Sequence, residues 1–343
     1  MANELVQRGY DVSLFLVHDV RFYKLDPRIK VQVLDNAPLF LHPLKKLLKL
    51  LPLAKRYAKL CDADISISFM NRPNYINVLS RYFGNKAKII VSERGTPSAY
   101  YKGLEGAVSK ALLRLLYPKA NKVVANSKGN AQDLKSSFSI ENVETIYNMF
   151  DLDQIQELAK EKVEDVDFDR FTFVSVGRLD ENKNQLMQIE AMARSGLDAQ
   201  LLLIGDGVMK EQLQARAKKL GIEHRVRFLG KRKNPYKYLA RSDVFLLTSK
   251  SEGFPNVLVE AMAVGLPVIA TDCPSGPAEI LGNGKFGMLV ALDESEALIE
   301  AMRKLYVDES LRQNYSTIAK IRAQDFSKET IIQQWEDLLK GSE

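Results

Sequence analysis

The chain has 343 residues and a formal net charge of +6, and its 46% hydrophobic and 27% charged residues are typical of a soluble globular protein. This composition excludes a disordered chain, a collagen-like repeat and a small disulfide-stapled domain. The length suggests two domains. The two cysteines have no spacing of metal ligands, and the sequence lacks a long uncharged apolar run or a signal-peptide pattern. We therefore expect a cytoplasmic protein.

Short apolar runs alternate with helical patterns along the chain, which is typical of βα units and parallel sheets. The first half contains the predicted strands Val12–Val17, Ile29–Leu34, Ile65–Phe69, Lys88–Ser92, Lys122–Ala125 and Val143–Ile146. The second half contains Phe171–Val176, Gln200–Ile204, Val226–Leu229, Asp243–Thr248, Pro267–Ala270 and Met288–Val290. We predict an α/β protein with two doubly wound parallel-sheet domains, residues 1–149 and 150–325. A terminal helix within residues 326–343 is expected to pack back toward the first domain.

The beginning of the chain has an unusual order of elements. Residues 2–9 resemble the end of a helix closed by Gly9, and the strand Val12–Val17 follows at once. In a doubly wound domain such a helix normally follows a first strand in the middle of the sheet. We therefore expect the N-terminal domain to lack its first strand and the glycine-rich loop after it, or its sheet to be arranged differently.

The positive charge is concentrated in the first half of the chain. Residues 1–150 carry 23 Lys and Arg against 12 Asp and Glu, a net charge of +11, whereas the rest carries 26 against 31, or −5. The most basic segment predicts an amphipathic helix over Leu44–Leu60, bent at Pro52. Its predicted cationic face contains Lys45, Lys49, Arg56 and Lys59, and its predicted apolar face contains Leu44, Leu47, Leu51, Ala54 and Ala58.

Three interpretations of this basic helix are open: a packed surface helix, contact with an anionic membrane, or contact with nucleic acid. Nucleic acid is the weakest of them, because no aromatic residues alternate with the charges to stack on bases. The sequence thus predicts no nucleic-acid partner.

Cations and glycines follow the first two strands of the second half. Arg178 comes directly after Gly177, and Lys183 stands five residues later where a helix is expected to begin. Two cations near a helix N-terminus favour a multiply charged anion such as a diphosphate. The second strand ends in Gly205-Asp206-Gly207, a turn that would let a ligand approach the backbone.

Two carboxylates flank a turn after the fourth strand of this half. Glu252 precedes Gly253, Phe254, Pro255 and Asn256, and Glu260 lies in the helix that follows. A carboxylate on the inner side of a fold is costly unless it meets hydroxyl groups or cations. The pair therefore resembles a set of ligands for a polyol.

Together these motifs, within SEGFPNVLVEAMAVGLPVIAT, resemble the retaining nucleotide-sugar glycosyltransferases of the GT-B fold, of the group 1, family 4 type. The resemblance covers the whole chain and is strongest over residues 171–281. It implies two Rossmann-like domains facing a cleft, with the donor held by the second domain and the acceptor by the first. Arg178, Lys183 and Glu252 are then the expected catalytic residues. The expected donor-binding residues are Gly177, Arg178, Lys183, Gly205, Gly207, Lys231, Glu252, Gly253, Phe254, Pro255, Asn256, Val257 and Glu260.

The resemblance also implies the chemistry. Arg178 and Lys183 would hold the donor diphosphate, Glu260 the ribose, Glu252 and the backbone of residues 253–256 the sugar, and Lys231 the side of the base. No metal or other cofactor is expected, because Asp62-Ala63-Asp64 precedes a strand and the other acidic runs lie in linkers. Retention in this family is described as front-face attack without a side-chain nucleophile.

The acceptor side departs from the family pattern. Relatives often have a histidine after a first-domain strand, where this sequence has Glu93 and Arg94. We place Arg94 on the acceptor side and Lys45, Lys49, Arg56 and Lys59 on the membrane side. The sequence thus predicts transfer from a UDP-sugar to a glycan on a polyprenyl diphosphate, at the inner face of the cytoplasmic membrane. A GT-B sugar-nucleotide 2-epimerase and a nucleotide-sugar binding module without activity are the alternatives.

Overall fold

The computed structural model describes residues 1–21, 24–35, 42–101 and 103–341. The chain divides into two compact units, which we call unit 1 (Met1–Met149 with Ile331–Glu343) and unit 2 (Phe150–Thr330). Within the described ranges, no helix is both long enough and apolar enough to cross a membrane.

Twelve strands and sixteen α-helices are assigned within the described residues. The strands are β1 Ser13–Leu16, β2 Lys30–Val33, β3 Ile65–Phe69, β4 Lys88–Glu93, β5 Lys122–Ala125, β6 Val143–Thr145, β7 Phe171–Val176, β8 Ala199–Ile204, β9 Val226–Gly230, β10 Val244–Leu247, β11 Val268–Thr271 and β12 Met288–Val290. The helices are α1 Ala2–Gln7, α2 Pro43–Leu48, α3 Leu50–Leu60, α4 Asn71–Ser80, α5 Pro97–Tyr100, α6 Gly103–Leu116, α7 Lys128–Phe138, α8 Leu152–Ala159, α9 Gln185–Ser195, α10 Lys210–Lys219, α11 Tyr236–Leu239, α12 Asn256–Ala263, α13 Pro277–Ile280, α14 Ser295–Val307, α15 Glu309–Ala323 and α16 Lys328–Lys340. Each of the twelve predicted strands is present, with both ends within one residue of the prediction.

The strands of unit 1 belong to two parallel sheets. β1 pairs with β2, and a second sheet has the order β3-β4-β5-β6. Side chains alternate between the two faces of a strand, so Ile89 and Val91 of β4 join one core while Ile90 joins the other. Helices α3, α4, α6 and α7 cover the first face, and α1 and α16 cover the second.

Unit 2 contains a single six-stranded parallel sheet with the order β12-β11-β10-β7-β8-β9. Its four inner strands, β7, β8, β10 and β11, are almost completely buried, as expected for a parallel sheet covered by helices on both faces. The strand order reverses between β7 and β10, which lie side by side although two strands separate them in the chain. Ligands of doubly wound sheets bind outside the carboxyl ends of the strands at such a reversal.

The basic segment differs from the single bent helix that the sequence predicts. It forms α2 and α3, which are interrupted at Lys49, and Pro52 lies in the first turn of α3. Proline is tolerated there because the first N–H groups of a helix have no partner within the helix. The predicted bend at Pro52 is therefore wrong.

The predicted apolar face of this segment is also largely wrong. The face of α3 that enters the core contains Leu50, Leu53, Ala54 and Tyr57. By contrast, Leu44, Leu47 and Leu51 are 57%, 37% and 56% exposed. The segment has leucines on every side, so periodicity did not determine which of them meet the core.

Candidate active site

The loops that follow β7 and β10 meet at the strand-order reversal of unit 2. Asn182, in the first loop, donates from Nδ2 to the Ser251 carbonyl oxygen in the second, and the Ser251 hydroxyl donates back to Asn182 Oδ1, both at 2.9 Å. The Lys250 N–H also donates to the Asn182 carbonyl oxygen, at 2.7 Å. These contacts bring the two groups of predicted donor residues together. Asn182 and Ser251 are not among the site residues predicted from the sequence, because their only signal there is their place beside the motif residues.

The loop after β7 is shaped by Asp180. Its Oδ1 accepts a hydrogen bond from the Lys183 N–H at 2.9 Å, and its Oδ2 lies 3.2 Å from Arg178 Nη2. The Arg178 side chain is 72% exposed, so its guanidinium is accessible to a ligand. A Cβ at Gly177 would lie 3.7 Å from the Lys183 side chain, an ordinary van der Waals contact, so Lys183 packs directly beside this position.

Lys183 and Glu252 form an ion pair at the centre of this site. Lys183 Nζ lies 2.5 Å from Glu252 Oε1, and only 17% and 11% of the two side chains are exposed. Because both side chains are mostly buried, each charge is compensated by the other, and removal of either residue would leave an uncompensated buried charge. The structure thus places Lys183, the residue predicted to bind the phosphate, in direct contact with Glu252, the residue predicted to bind the sugar.

Gly205 and Gly207 face the backbone of the neighbouring loop. A Cβ on Gly205, which has φ +145, would lie 1.8 Å from the Gly177 carbonyl oxygen, and one on Gly207 would lie 2.3 Å from that of Leu179. Any larger residue would push the two loops apart. The structure therefore shows a packing reason for both glycines, whereas the sequence predicts only a turn that a ligand can approach.

The turn after Glu252 leads into α12. The Phe254 side chain is 7% exposed and packs on Phe326 and Phe150, with ring centroids 5.5 and 6.4 Å away. Its side chain thus belongs to the interior of unit 2, and only its backbone can serve a ligand. Pro255 precedes the helix, Asn256 and Val257 open it, and Gly253 lies in the turn before.

Glu260 lies near the middle of α12 and has an unusual carboxyl group. Burial raises its pKa to about 7, while a hydrogen bond with Tyr236 acts in the opposite direction. The carboxyl therefore keeps its proton to a higher pH than an exposed glutamate does. Tyr236, which opens α11, is a further residue that the sequence analysis missed. Lys231 follows β9 directly and is exposed.

In unit 1, Glu93 is the last residue of β4, and Arg94 follows it directly. Arg94 lies over the Phe69 ring, 4.8 Å from its centroid, and donates to Asn148 Oδ1 at 2.6 Å; burial lowers the pKa of the guanidinium to about 10. Glu93 is buried and accepts from the Tyr117 hydroxyl at 2.7 Å, and burial raises its pKa. Arg94 is thus a held cation at the edge of the sheet where ligands bind.

The four predicted membrane-side cations are not equivalent. Lys49 lies 2.9 Å from the buried carboxylate of Asp35, and Arg56 donates to the Leu34 carbonyl oxygen at 2.9 Å. Both therefore hold α3 against the end of β2. Lys45 and Lys59 are exposed.

The acidic runs have structural partners or are exposed. Asp151 accepts from the Gln154 N–H at the start of α8 and pairs with Lys328 at 3.0 Å, and Asp165 pairs with Arg232 at 2.7 Å. Asp62 and Asp64 are exposed. Among the residues that the structure describes, no group of three or more His, Cys, Asp or Glu side chains could hold a metal ion.

Two family models match the chain and together span nearly all of it. The model described as "Glycosyltransferase Family 4" matches residues 1–154, and "Glycosyl transferases group 1" matches residues 157–322.

Two relatives come from Campylobacter jejuni. The chain is 39% identical over 326 residues to its N-acetylgalactosamine-N,N'-diacetylbacillosaminyl-diphospho-undecaprenol 4-alpha-N-acetylgalactosaminyltransferase, with 93% of this chain and 88% of the relative covered. It is 27% identical to GalNAc-alpha-(1->4)-GalNAc-alpha-(1->3)-diNAcBac-PP-undecaprenol alpha-1,4-N-acetyl-D-galactosaminyltransferase, with 99% and 92% covered.

Solved structures with the same fold include HepE from Anabaena in complex with UDP. That chain is 25% identical to this one, with a TM-score of 0.75 and coverage of 92% and 87%. Sucrose-phosphate synthase from Thermosynechococcus elongatus is 19% identical with a TM-score of 0.83 and coverage of 99% and 91%, a likeness of fold alone.

Proposed function

The chain belongs to the group 1 glycosyltransferases, and we propose that it moves a sugar, with retention, from a UDP-sugar to a lipid-linked glycan acceptor. The observation that carries the proposal is the Lys183–Glu252 pair at the strand-order reversal of unit 2, 2.5 Å apart. A cation and a hydroxyl-binding carboxylate in direct contact suit a sugar whose anomeric carbon carries a diphosphate.

In the proposed reaction, the donor-site residues bind different parts of the UDP-sugar. As the bond between the anomeric carbon and the phosphate oxygen breaks, negative charge builds on the diphosphate, and Lys183 and Arg178 stabilise it. The acceptor oxygen forms the new bond on the same face, and its proton passes to the departing phosphate. Glu252 and the backbone of residues 253–256 hold the sugar, Glu260 holds the ribose, and Lys231 lies toward the base.

The acceptor is proposed from the relatives. Both Campylobacter enzymes are named for undecaprenol-diphosphate-linked acceptors and for transfer of N-acetylgalactosamine. We therefore propose an N-acetylhexosamine as the transferred sugar and a glycan on a polyprenyl diphosphate as the acceptor. Arg94, a cation fixed at the edge of the sheet of unit 1, is the proposed acceptor contact.

A lipid acceptor requires the enzyme to work at a membrane, and α2–α3 is the surface that suits it. Leu44, Leu48 and Leu51 are 57%, 68% and 56% exposed, and Lys45, Lys55 and Lys59 are exposed in the same segment. Exposed leucines beside lysines match the acyl and headgroup layers of an anionic bilayer. We thus propose peripheral docking through these six residues, without Lys49 and Arg56, which are bound within unit 1.

Product formation tests the proposal directly. UDP-, GDP- and ADP-linked sugars with a radiolabel are incubated with short glycans on polyprenyl diphosphate, and the extended lipid is isolated and its anomeric configuration determined. We expect transfer from a UDP-N-acetylhexosamine with retention, and transfer by Lys183→Ala that is slower by about 30-fold or more. Hydrolysis or epimerisation of the donor without transfer, or a product with inverted configuration, would contradict the proposal.

A further inference from the structure

Asn182 and Ser251 connect the two halves of the donor site, and the proposed reaction gives them no role so far. Asn182 and Ser251 form two reciprocal hydrogen bonds at 2.9 Å. The Lys250 N–H donates a third hydrogen bond, at 2.7 Å, to the Asn182 carbonyl oxygen. Each residue is the immediate neighbour of a member of the central ion pair. Asn182 precedes Lys183, and Ser251 precedes Glu252.

Other contacts fix the Lys183 side of this junction. The Thr248 hydroxyl at the end of β10 donates to the carbonyl oxygens of Lys183 and Asn184 at 3.0 Å, and Gln188 Nε2 donates to Thr248 Oγ1 at 2.8 Å. Asn184 adopts a left-handed conformation with φ 50, which turns the chain into α9. The loop after β7 is therefore anchored before any ligand arrives.

Several contacts hold the loop that contains Glu252. The Glu252 N–H donates to the Pro274 carbonyl oxygen at 3.4 Å, and the Thr271 hydroxyl donates to the Ser249 carbonyl oxygen at 2.7 Å. Residues 250 and 251 of this loop are joined to the loop after β7 through Asn182. Displacement of about 1 Å in a catalytic group lowers rates by about two orders of magnitude.

We propose that Asn182 and Ser251 are positioning residues that set the distance between the Lys183 ammonium and the Glu252 carboxylate. This inference rests on the proposed donor roles of Lys183 and Glu252. The two loops follow adjacent strands, and the paired hydrogen bonds join them beside the ion pair itself, in addition to the Thr248 contacts behind it. With them, a sugar diphosphate meets a cation and a carboxylate already placed for the phosphate and for the hydroxyl groups.

The test is a double-mutant cycle. Asn182→Ala is measured alone and in a Lys183→Ala background, by the turnover number, the donor KM and the affinity for UDP-N-acetylgalactosamine from calorimetry. Alone it should lower turnover by about tenfold or more. In the Lys183→Ala background it should have little further effect, because a residue that acts through Lys183 has nothing left to position.

Conservative variants separate positioning from folding. Ser251→Ala removes one of the two side-chain bonds and should lower turnover by about threefold, whereas Ser251→Thr keeps the hydroxyl and should restore it. Asn142→Ala is the matched control, because its amide also donates to a backbone carbonyl, that of Ala120 at 2.9 Å, but in unit 1. It should leave turnover and donor affinity unchanged.

The outcomes are distinct. If Lys183→Ala itself retains full activity, the proposed donor site is wrong. If Lys183→Ala is impaired while Asn182→Ala and Ser251→Ala match wild type, only the positioning role is wrong. Equal losses from Asn182→Ala in both backgrounds, or no recovery with Ser251→Thr, would also overturn it.

Discussion

The two units share a folding plan but differ in their surfaces. Both bury parallel strands under helices. Yet thirteen of the sixteen large apolar side chains that are exposed in the described residues belong to unit 1, and only Val208, Val307 and Ile321 belong to unit 2. Unit 1 also carries most of the positive charge, since residues 1–150 have a net charge of +11.

The core does not explain why unit 1 has more exposed apolar side chains than unit 2. A parallel sheet needs apolar runs on both of its faces, and both units supply them. Exposed leucines add nothing to that core, and they lie where we propose that unit 1 contacts the membrane. The comparison teaches that the proposed donor residues of unit 2 lie in loops at a sheet edge, whereas the proposed membrane surface of unit 1 lies on exposed helices. The following predictions test this division.

The largest effect is expected at the ion pair of unit 2. Lys183→Ala should cost about 2–4 kcal/mol of transition-state stabilisation, a loss of about 30- to 1000-fold in kcat/KM. Arg178→Ala should cost less, about tenfold, because its side chain is 72% exposed and solvent screens its charge. Steady-state kinetics with the donor measures both, and Lys218→Ala, on the outer surface of α10, serves as the control. Equal losses from Lys183→Ala and Arg178→Ala would contradict the ranking drawn from burial.

The surface of unit 1 should govern membrane binding. Changing Lys45, Lys55 and Lys59 to Gln should weaken binding to anionic vesicles by about 100-fold, at roughly 1 kcal/mol per basic residue. Changing Leu44, Leu48 and Leu51 to Ser should weaken it as well, and this loss should persist in high salt. Sedimentation with vesicles of mixed phosphatidylglycerol and phosphatidylcholine measures the bound fraction.

Matched changes in unit 2 control for charge alone. Lys218, Lys219 and Lys304, all exposed, are changed to Gln, and vesicle binding should stay near that of wild type. Donor affinity should be unaffected in the two unit 1 variants, with lysines or leucines changed, and in this unit 2 variant. Equal losses of vesicle binding from the lysine changes in both units would mean that overall charge, and not α2–α3, directs docking.

Donor binding should depend on pH through Glu260, whose pKa is raised to about 7. Ribose hydroxyls donate to the ionised carboxylate, so affinity for UDP-N-acetylgalactosamine should fall by about tenfold as the pH drops from 7.5 to 6. Glu260→Gln should bind more weakly and lose this dependence. Calorimetry at a series of pH values measures it, and parallel pH profiles of wild type and variant would contradict the role of Glu260.

The same group predicts a pH effect on stability. A carboxyl whose folded pKa lies above its unfolded value of 4.5 stabilises the fold at low pH and loses that contribution as the pH rises through about 7. Glu260→Gln cannot ionise, so its melting temperature should exceed that of wild type at pH 8 and approach it at pH 5. A variant that melts below wild type at both pH values would show that the carboxylate is stabilised by groups other than Tyr236.

The smallest effect is expected from metal removal. Lys183 and Arg178 supply positive charge to the departing diphosphate, so activity in excess EDTA should stay within about twofold of the untreated enzyme. The measurement is the transfer rate with and without chelator, followed by addition of manganese or magnesium. Loss of activity that either cation restores would show that the two side chains do not suffice.

Local patterns determined much of this protein. Largely apolar runs of three to six residues such as Phe171–Val176 predict strands because strands buried on both faces are rich in apolar residues, and each predicted strand is present. The order of strands and helices predicted the α/β class, and the motifs after the strands predicted the family. These features depend on residues close to one another in the sequence, which is why the sequence alone sufficed.

Only the tertiary structure determined which face of each helix or strand packs against the core and which faces solvent. Leu51 and Leu53 look alike in the sequence, but only Leu53 meets the core, because the position of α4 and the sheet selects one face of α3. The contacts between Asn182 and Ser251 cross 69 residues, and the contact between Gly205 and Gly177 depends on two strands lying side by side. Such contacts arise from packing between segments that are distant in the sequence, so local sequence patterns do not predict them.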